Sequence, residues 1–385
     1  MTIFRISAVL VASVLTLALL GGAVWIFSLP PSPGVVTPLP VADNEARETL
    51  AALKPPKRQR PIIAVIGIND ATETTDYLMP AGILRRADVA DVLLVSTNSG
   101  PVRLYPALTV EPDVTTASFD ADHPDGADYV IVPAMSRNDD PAAIRWIRNQ
   151  SAKGATIIGV CVGGLVVAET GLLEGKRATT HWFAVKELRE KHPEAIYVAD
   201  RRIVADEGVA TTTGITASMP MALTLIEAIA GREKAESVAR GVGLPEWHAR
   251  HASSAFRLNR DFALTVMGNV AAFWNREDLG LELKSGVDEV SLALAADAWS
   301  RTFRSRARTF AASGGSVETM NGFRILPDAA TADWPQDHIA PAVGVGPPAA
   351  MLDDVLASIA SRYGKATRDA VALQLEYSKA AETPA

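Results

Sequence analysis

Ile157-Ile158-Gly159-Val160-Cys161-Val162-Gly163-Gly164-Leu165 decides the fold. A β-branched apolar run, a cysteine at its end, two glycines and then an Ala/Leu/Val stretch predict strand, tight turn and helix. A thiol on such a turn is lifted out of the packed core into a crevice, and the positive end of the helix dipole beneath it favours the thiolate. This is the geometry of a nucleophile elbow. The bland alternative, a small buried hydrophobe, is countered by the position of Cys161 at a strand–glycine junction. Ala178-Thr179-Thr180-His181-Trp182 follows, placing His181 twenty residues after the cysteine.

Working outward, Ile62–Ile66, Val92–Val95, Tyr129–Val132, Thr156–Val160 and Val209–Thr213 read as buried strands. Tyr77–Ala87, Pro141–Ser151 and Ser218–Ala230 read as helices between and after them. Strands alternating with helices predict an α/β fold with a parallel sheet sandwiched by helices. The ligand crevice of such a sheet lies outside the carboxyl ends of its strands, where Cys161 stands. This domain is expected over 62–245.

The chain has 385 residues, 48% of them hydrophobic, a single Cys and a net charge of −7. That length fits about two domains. One Cys excludes an intramolecular disulfide and a cysteine-based metal cluster, and no cofactor motif is read. The acidic balance argues against a nucleic-acid-binding surface over the whole chain. Trp247-His248-x-x-His251 has imidazoles one helical turn apart, but without an accompanying acidic ligand it reads as a surface or structural pair.

From Ile6 to Leu29 there is no charged residue, and Pro30-Pro31 closes the run. About 20 apolar residues span a bilayer as a helix, so 6–29 is expected to be a transmembrane helix. The absence of Lys and Arg from Ser28 to Ala46 leans towards a cytoplasmic amino terminus. The expected localisation is therefore a single-pass membrane protein with its folded domain extracytoplasmic. Residues 30–61 read as a proline-rich linker, a solvated tether with a basic cluster at Lys54–Arg60.

Three motifs stand in order: Asp76-Tyr-Leu-Met-Pro80, the Cys161-x-Gly-Gly elbow with Gly171-Leu-Leu-Glu-Gly-Lys-Arg-Ala-Thr-Thr-His181-Trp, and Thr211-Thr-Thr-Gly214-Ile-Thr-Ala-Ser. Together they resemble the ThiJ/PfpI family within the class I glutamine-amidotransferase-like superfamily. The similarity is greatest to the amidase-like sensor half of AraC-type transcriptional regulators. The resemblance implies a flavodoxin-like fold. It also implies a nucleophilic or redox-sensitive Cys161, a base or neighbour at His181, and Asp76 hydrogen-bonded to the sulfur. The chain departs from the pattern twice. Val132-Pro133-Ala134-Met135-Ser136 lacks the Gly-Gly pair that helps form the oxyanion hole, and Val162 replaces the histidine of the protease-like branch. No helix-turn-helix pattern follows, so a DNA-binding role is not expected.

Shifted by 215 residues, the start of the domain matches a stretch near the C-terminus. Arg86 pairs with Arg301, Val102 with Val317, Pro112-Asp113 with Pro327-Asp328, Phe119 with Trp334, and Leu108 and Val110 with Phe323 and Ile325. Ala222-Leu-x-Leu225 resembles Ala372-Leu-x-Leu375 at a shift of 150. Residues 280–385 thus read as a degenerate second copy, lacking the elbow and carrying Ser291 in place of Asp76. A helical connector is expected over 246–279. The copy is expected to pack on the first as an intramolecular pseudo-dimer, with a homodimer as the alternative.

Three function classes follow. One is a cysteine-dependent hydrolase, amidase or glyoxalase/deglycase-like enzyme on small carbonyl or amide compounds. The second is a non-catalytic ligand- or redox-sensing module, and the third is a structural or partner-binding protein. The first two take a small-molecule partner.

Overall fold

The computed structural model describes residues 20–344 and 346–377. Its main sheet runs, edge to edge, Ile203–Asp206, Val209–Thr212, Thr156–Gly159, Tyr129–Val132, Ile62–Gly67, Asp91–Ser96 and Val114–Thr115. All neighbours are parallel except the first pair, a hairpin. The strands predicted from the sequence therefore take the flavodoxin-like order 2-1-3-4-5.

Alternation along each strand divides the core in two. Ile63, Val65, Ile131 and Ile158 pack beneath the helices Thr74–Ala87 and Ser218–Ala230. Ala64, Ile66, Val130 and Ile157 pack beneath Pro141–Ala152 and Gly163–Glu169. Burial on both faces is why these strands are continuous apolar runs rather than alternating ones.

Beyond the domain, Arg260–Ala271 is a helix. Three parallel strands follow in the order Glu277–Glu282, Ser305–Ala311, Ala329–Ala330. The helix Glu289–Ser300 packs on Pro348–Tyr363 on one side and on Thr74–Ala87 on the other. A five-stranded sheet joins the two parts: Val317–Glu318, Arg324–Leu326, Thr109–Glu111, Val102–Tyr105, Asp70–Glu73. The helix crossing needs a glycine at Gly82, where a Cβ would lie 2.5 Å from Glu289 Oε1 and 3.0 Å from Val290.

The expected single-pass membrane localisation is corrected. Among the described residues no helix is long and apolar enough to cross a membrane. Residues 6–19 of the expected span lie outside the described residues. Residues 20–28 are helical, a described stretch of about 13 Å at 1.5 Å per residue. They end against the body of the protein, with Ile26 buried and Arg260 Nη2 donating to Phe27 O at 2.9 Å.

The 30–61 stretch, read as a tether, instead lies against the domain. It holds the helix Asp43–Ala52, whose Glu45 pairs with Arg201 at 2.6 Å, and Leu53 is buried in the main core. Its basic cluster is engaged by the domain: Arg58 with Asp128, Arg60 with Asp88 and Asp91.

Gly82→Val is expected to lower stability by about 3 kcal/mol or more by wedging the two helices apart. Urea denaturation checks this, and a change under about 1 kcal/mol would show that the crossing tolerates a side chain.

Candidate functional site

The strand Thr156–Gly159 is wholly buried and delivers Cys161 in a left-handed backbone conformation, φ 56°, which a non-glycine residue adopts at a cost. Three contacts hold it there. Cys161 N donates to Thr212 Oγ1 at 3.2 Å, Thr180 Oγ1 donates to Cys161 O at 2.9 Å, and Gly163 N donates to Val160 O at 2.7 Å. Gly163 is required because a Cβ there would overlap Val132 O, and at Gly164 it would press on Thr179 O. Strand, turn and helix stand in the order read from the sequence, but the thiol stays within the main core rather than being lifted out of it.

The electrostatics of the elbow also depart from the sequence reading. Cys161 is only 3% exposed. Desolvation pushes its pKa well above the ordinary thiol value, and the charges of Asp76, Glu73 and Glu376 push it further. The Val162 N–H opposes them. The helix behind the elbow, Gly163–Glu169, has seven residues. Its dipole does not outweigh burial among carboxyl groups, so the thiolate expected from the dipole is replaced by a protonated thiol.

Asp76 sits in the first turn of Thr74–Ala87, capped by Glu73, whose Oε2 accepts from Asp76 N at 2.6 Å. Ala134 N donates to Asp76 Oδ2 at 3.2 Å. Oδ1 is buried without a hydrogen-bond partner. It is left to the Cys161 thiol, which is among the groups that hold the Asp76 pKa down. Desolvation dominates, and the Asp76 pKa is pushed up to about 7 despite the Ala134 N–H and the Arg301 charge. Glu73 is likewise pushed up to about 7, first by desolvation and then by Asp76, with Arg301 opposing.

His181 shares the cavity with Cys161, but both of its ring nitrogens are occupied. Nε2 lies 3.0 Å from Gln374 O, and Phe183 N donates to Nδ1 at 3.2 Å. That pattern fixes the neutral tautomer with the proton on Nε2, and burial lowers its pKa. The structure therefore brings Asp76 to Cys161 and turns His181 towards the backbone. Of the two other histidines singled out, His251 is buried, stacked on Phe256, with Nε2 3.6 Å from Glu376 Oε2. His248 lines a separate hollow with Trp247 and Arg232. Among the described residues no group of three His, Cys, Asp or Glu side chains has metal-holding geometry.

The cavity measures about 580 Å³ and is walled mainly by apolar groups, including Met135, Val162, Trp182, Phe262 and Val266. The C-terminal part supplies Arg301, Phe303 and Gln374 to it. Arg301 Nη2 donates to Glu73 Oε1 at 2.9 Å and its Nε to Asp297 Oδ1 at 2.6 Å. Asp297 is fully buried, and desolvation raises its pKa well above the carboxyl range. Glu376, φ 50°, accepts from Trp182 N at 2.6 Å and from Gly214 N at 2.7 Å. Sequence reasoning missed Glu73, Asp297, Arg301 and Glu376. Glu73 had a signal, an acid three residues before Asp76 in helix-cap position; Glu376 had none.

A parallel sheet in this order, with a thiol on a left-handed elbow at its carboxyl edge, defines an α/β protein of the nucleophile-elbow class. The sequence model of the DJ-1/PfpI family matches residues 63–228. Isonitrile hydratase of Pseudomonas putida is 35% identical over 167 residues, 42% of this chain and 70% of that enzyme. The chain belongs to the DJ-1/PfpI family. The HTH-type transcriptional regulator CdhR of Pseudomonas aeruginosa is 37% identical over 98 residues, 26% of this chain and 29% of the regulator. The crystal structure of Drosophila melanogaster DJ-1beta superposes with TM-score 0.43 at 26% identity, covering 47% of this chain and 97% of that one.

Removing the Asp76 charge relieves the repulsion on the thiolate. Asp76→Asn is therefore expected to speed iodoacetamide alkylation of Cys161 at pH 8 by about tenfold, one pKa unit. Intact-mass spectrometry reads this at one site because the chain has one cysteine. An unchanged or slower rate would show that Asp76 does not face the sulfur.

Proposed function

We propose that this protein is an enzyme in which Cys161 and Asp76 add water to a small apolar electrophile with a polarised multiple bond, of the isonitrile type. The observation that carries this is the pairing of a protonated thiol with a carboxyl group whose pKa is about 7 and whose Oδ1 is otherwise unpartnered. A group titrating near neutral pH can both take up and return a proton.

The chemistry balances without a cofactor. Asp76 accepts the thiol proton as the sulfur attacks the terminal carbon of R–N≡C. It then returns the proton to that carbon, giving the thioimidate R–N=CH–S–Cys161. Water next attacks the same carbon, its protons pass to nitrogen and back to sulfur, and the C–S bond breaks. The product is the N-substituted formamide R–NH–CHO, and the thiol is restored. The apolar walls suit a hydrocarbon R group. The similarity to an isonitrile hydratase supports the same reading.

Amide hydrolysis is supported less. Its tetrahedral oxyanion needs donors aimed into the cavity, whereas Ala134 N–H is spent on Asp76 and both His181 nitrogens are spent on the backbone. Those commitments favour one second reading, a ligand-binding module without turnover, in line with the likeness to the regulator CdhR.

Incubation with cyclohexyl isocyanide, followed by mass spectrometry of the formamide, distinguishes the two. Turnover is expected, with kcat/KM rising as pH passes through about 7, where Asp76 ionises. Loss of at least about 10²-fold is expected in Cys161→Ser and Asp76→Asn. Binding of the isocyanide without formamide, unchanged in Cys161→Ser, would establish the module instead.

A further inference from the structure

The five-stranded sheet that joins the two parts has the symmetry of a dimer interface. Offset by 215 residues, Glu277–Glu282 falls on Ile62–Gly67, Arg324–Leu326 on Thr109–Glu111 and Ala329–Ala330 on Val114–Thr115. The two middle strands pair antiparallel: Leu326 with Thr109, Ile325 with Val110, Arg324 with Glu111. Val110 thus faces its own counterpart, and its neighbours face each other's. Contacts of this reciprocal kind define an isologous two-fold interface.

The helices repeat the pattern. Gly82 packs on Val290, and their respective counterparts Asp297 and Thr75 approach with Thr75 Oγ1 3.4 Å from Asp297 Oδ2. Glu73 caps one helix and accepts from Arg301; its counterpart Asp288 caps the other and accepts from Arg86, the counterpart of Arg301. The layer reads Pro348–Tyr363, Glu289–Ser300, Thr74–Ala87, Ser218–Ala230. Its outer helices each end on a glycine of nearly the same conformation, φ 86°, ψ 168° at Gly231 and φ 89°, ψ 159° at Gly364. The layer therefore sets Pro348–Tyr363 opposite Ser218–Ala230, in place of the match at a shift of 150 between Ala222–Leu225 and Ala372–Leu375.

The two sides differ at the site. Around Glu73 stand Asp76, Cys161 and the cavity. Around Asp288 the position of Asp76 is Ser291, and the half has no second elbow because the chain has one cysteine.

We propose that the C-terminal half is a built-in partner, a second copy that has lost its own site, and that its Arg301 is a positioning residue for the first. Arg301 holds Glu73; Glu73 holds the backbone N–H of Asp76; and Asp76 faces the Cys161 sulfur. The planar two-point grip of a guanidinium, anchored one turn back on Asp297, fixes this chain of contacts as a single ammonium would not. The inference stands on the thiol–carboxyl pair and does not require turnover.

The charged groups facing the sulfur are Asp76 and Glu73 at the start of Thr74–Ala87, and Glu376 of the C-terminal segment. Arg301 and Asp297 of the partner half lie behind them, and His181 is held neutral by the backbone. Removing the Arg301 cation leaves the thiolate less favoured. Glu73 and Asp76 then take up part of a proton, which offsets some of the lost charge but not all of it.

Arg86 provides the control, since it makes the mirror-image bridge where there is no thiol. Iodoacetamide alkylation of the full chain, read by intact mass across pH, tests the proposal without any substrate. Arg301→Gln is expected to slow alkylation at pH 8 by about tenfold and to move its midpoint to higher pH. Arg301→Lys is expected to fall between Arg301→Gln and wild type. Arg86→Gln is expected to lower the melting temperature but leave the alkylation profile within about twofold. Equal profiles for Arg86→Gln and Arg301→Gln would overturn the proposal, as would an unmoved profile in Arg301→Gln. Where Arg301→Gln does not fold, Arg301→Lys carries the test, and a wild-type profile in it overturns the proposal.

Discussion

Four acidic groups, the carboxyls of Glu73, Asp76 and Asp297 and the thiol of Cys161, share a buried volume with the guanidinium of Arg301. Ionising all four there would set four negative charges against one positive charge in a poorly solvated place. Protons are held instead. The carboxyls of Glu73 and Asp76 titrate near pH 7, and the thiol stays protonated. The chemistry of the site follows from that constraint. A neutral thiol beside a carboxyl that exchanges its proton at physiological pH suits addition across a multiple bond. It suits displacement by a standing thiolate less well.

The same constraint explains the architecture. Arg301 must be buried to act on Glu73 and Asp76, and a buried guanidinium needs its own anions. Asp297, one turn earlier on the same helix, supplies one, and Glu73 from the other half supplies the second. The bridge therefore joins the two halves and seals the site in one contact. Gln374 and Glu376 complete the wall: the Gln374 carbonyl accepts from the His181 ring, and the Glu376 carboxylate accepts from the backbone N–H groups of Trp182 and Gly214.

Much of the fold was legible because its signals are local. Apolar runs bounded by turn residues located the five parallel strands, and the Cys161-x-Gly-Gly spacing located the elbow, whose glycines are dictated by contacts with Val132 and Thr179. Asp76 was singled out only through the family resemblance that the Asp76-Tyr-Leu-Met-Pro80 motif carries. What misled was information that sequence does not carry. The helix dipole favours a thiolate only where the thiol is solvated, and burial of Cys161 among carboxyls outweighs it. His181 kept its place in the cavity but was turned to the backbone by Gln374, nearly two hundred residues away in sequence. The apolar 6–29 run met the length rule for a membrane helix. Yet its described part, residues 20–28, is set against Arg260, and no described helix meets the requirement. The contribution of Arg301 to the site was invisible because it depends on how two distant segments pack.

The chemistry of the site turns on the protonation state of Cys161 in the native chain. Titration of thiolate absorbance near 240 nm, taken as the difference between wild type and Cys161→Ser, measures it directly with no reagent entering the cavity. A midpoint above the free-cysteine value of about 8.5 is expected. A midpoint below about 7 would mean that a thiolate stands in the site at neutral pH, and would contradict the account.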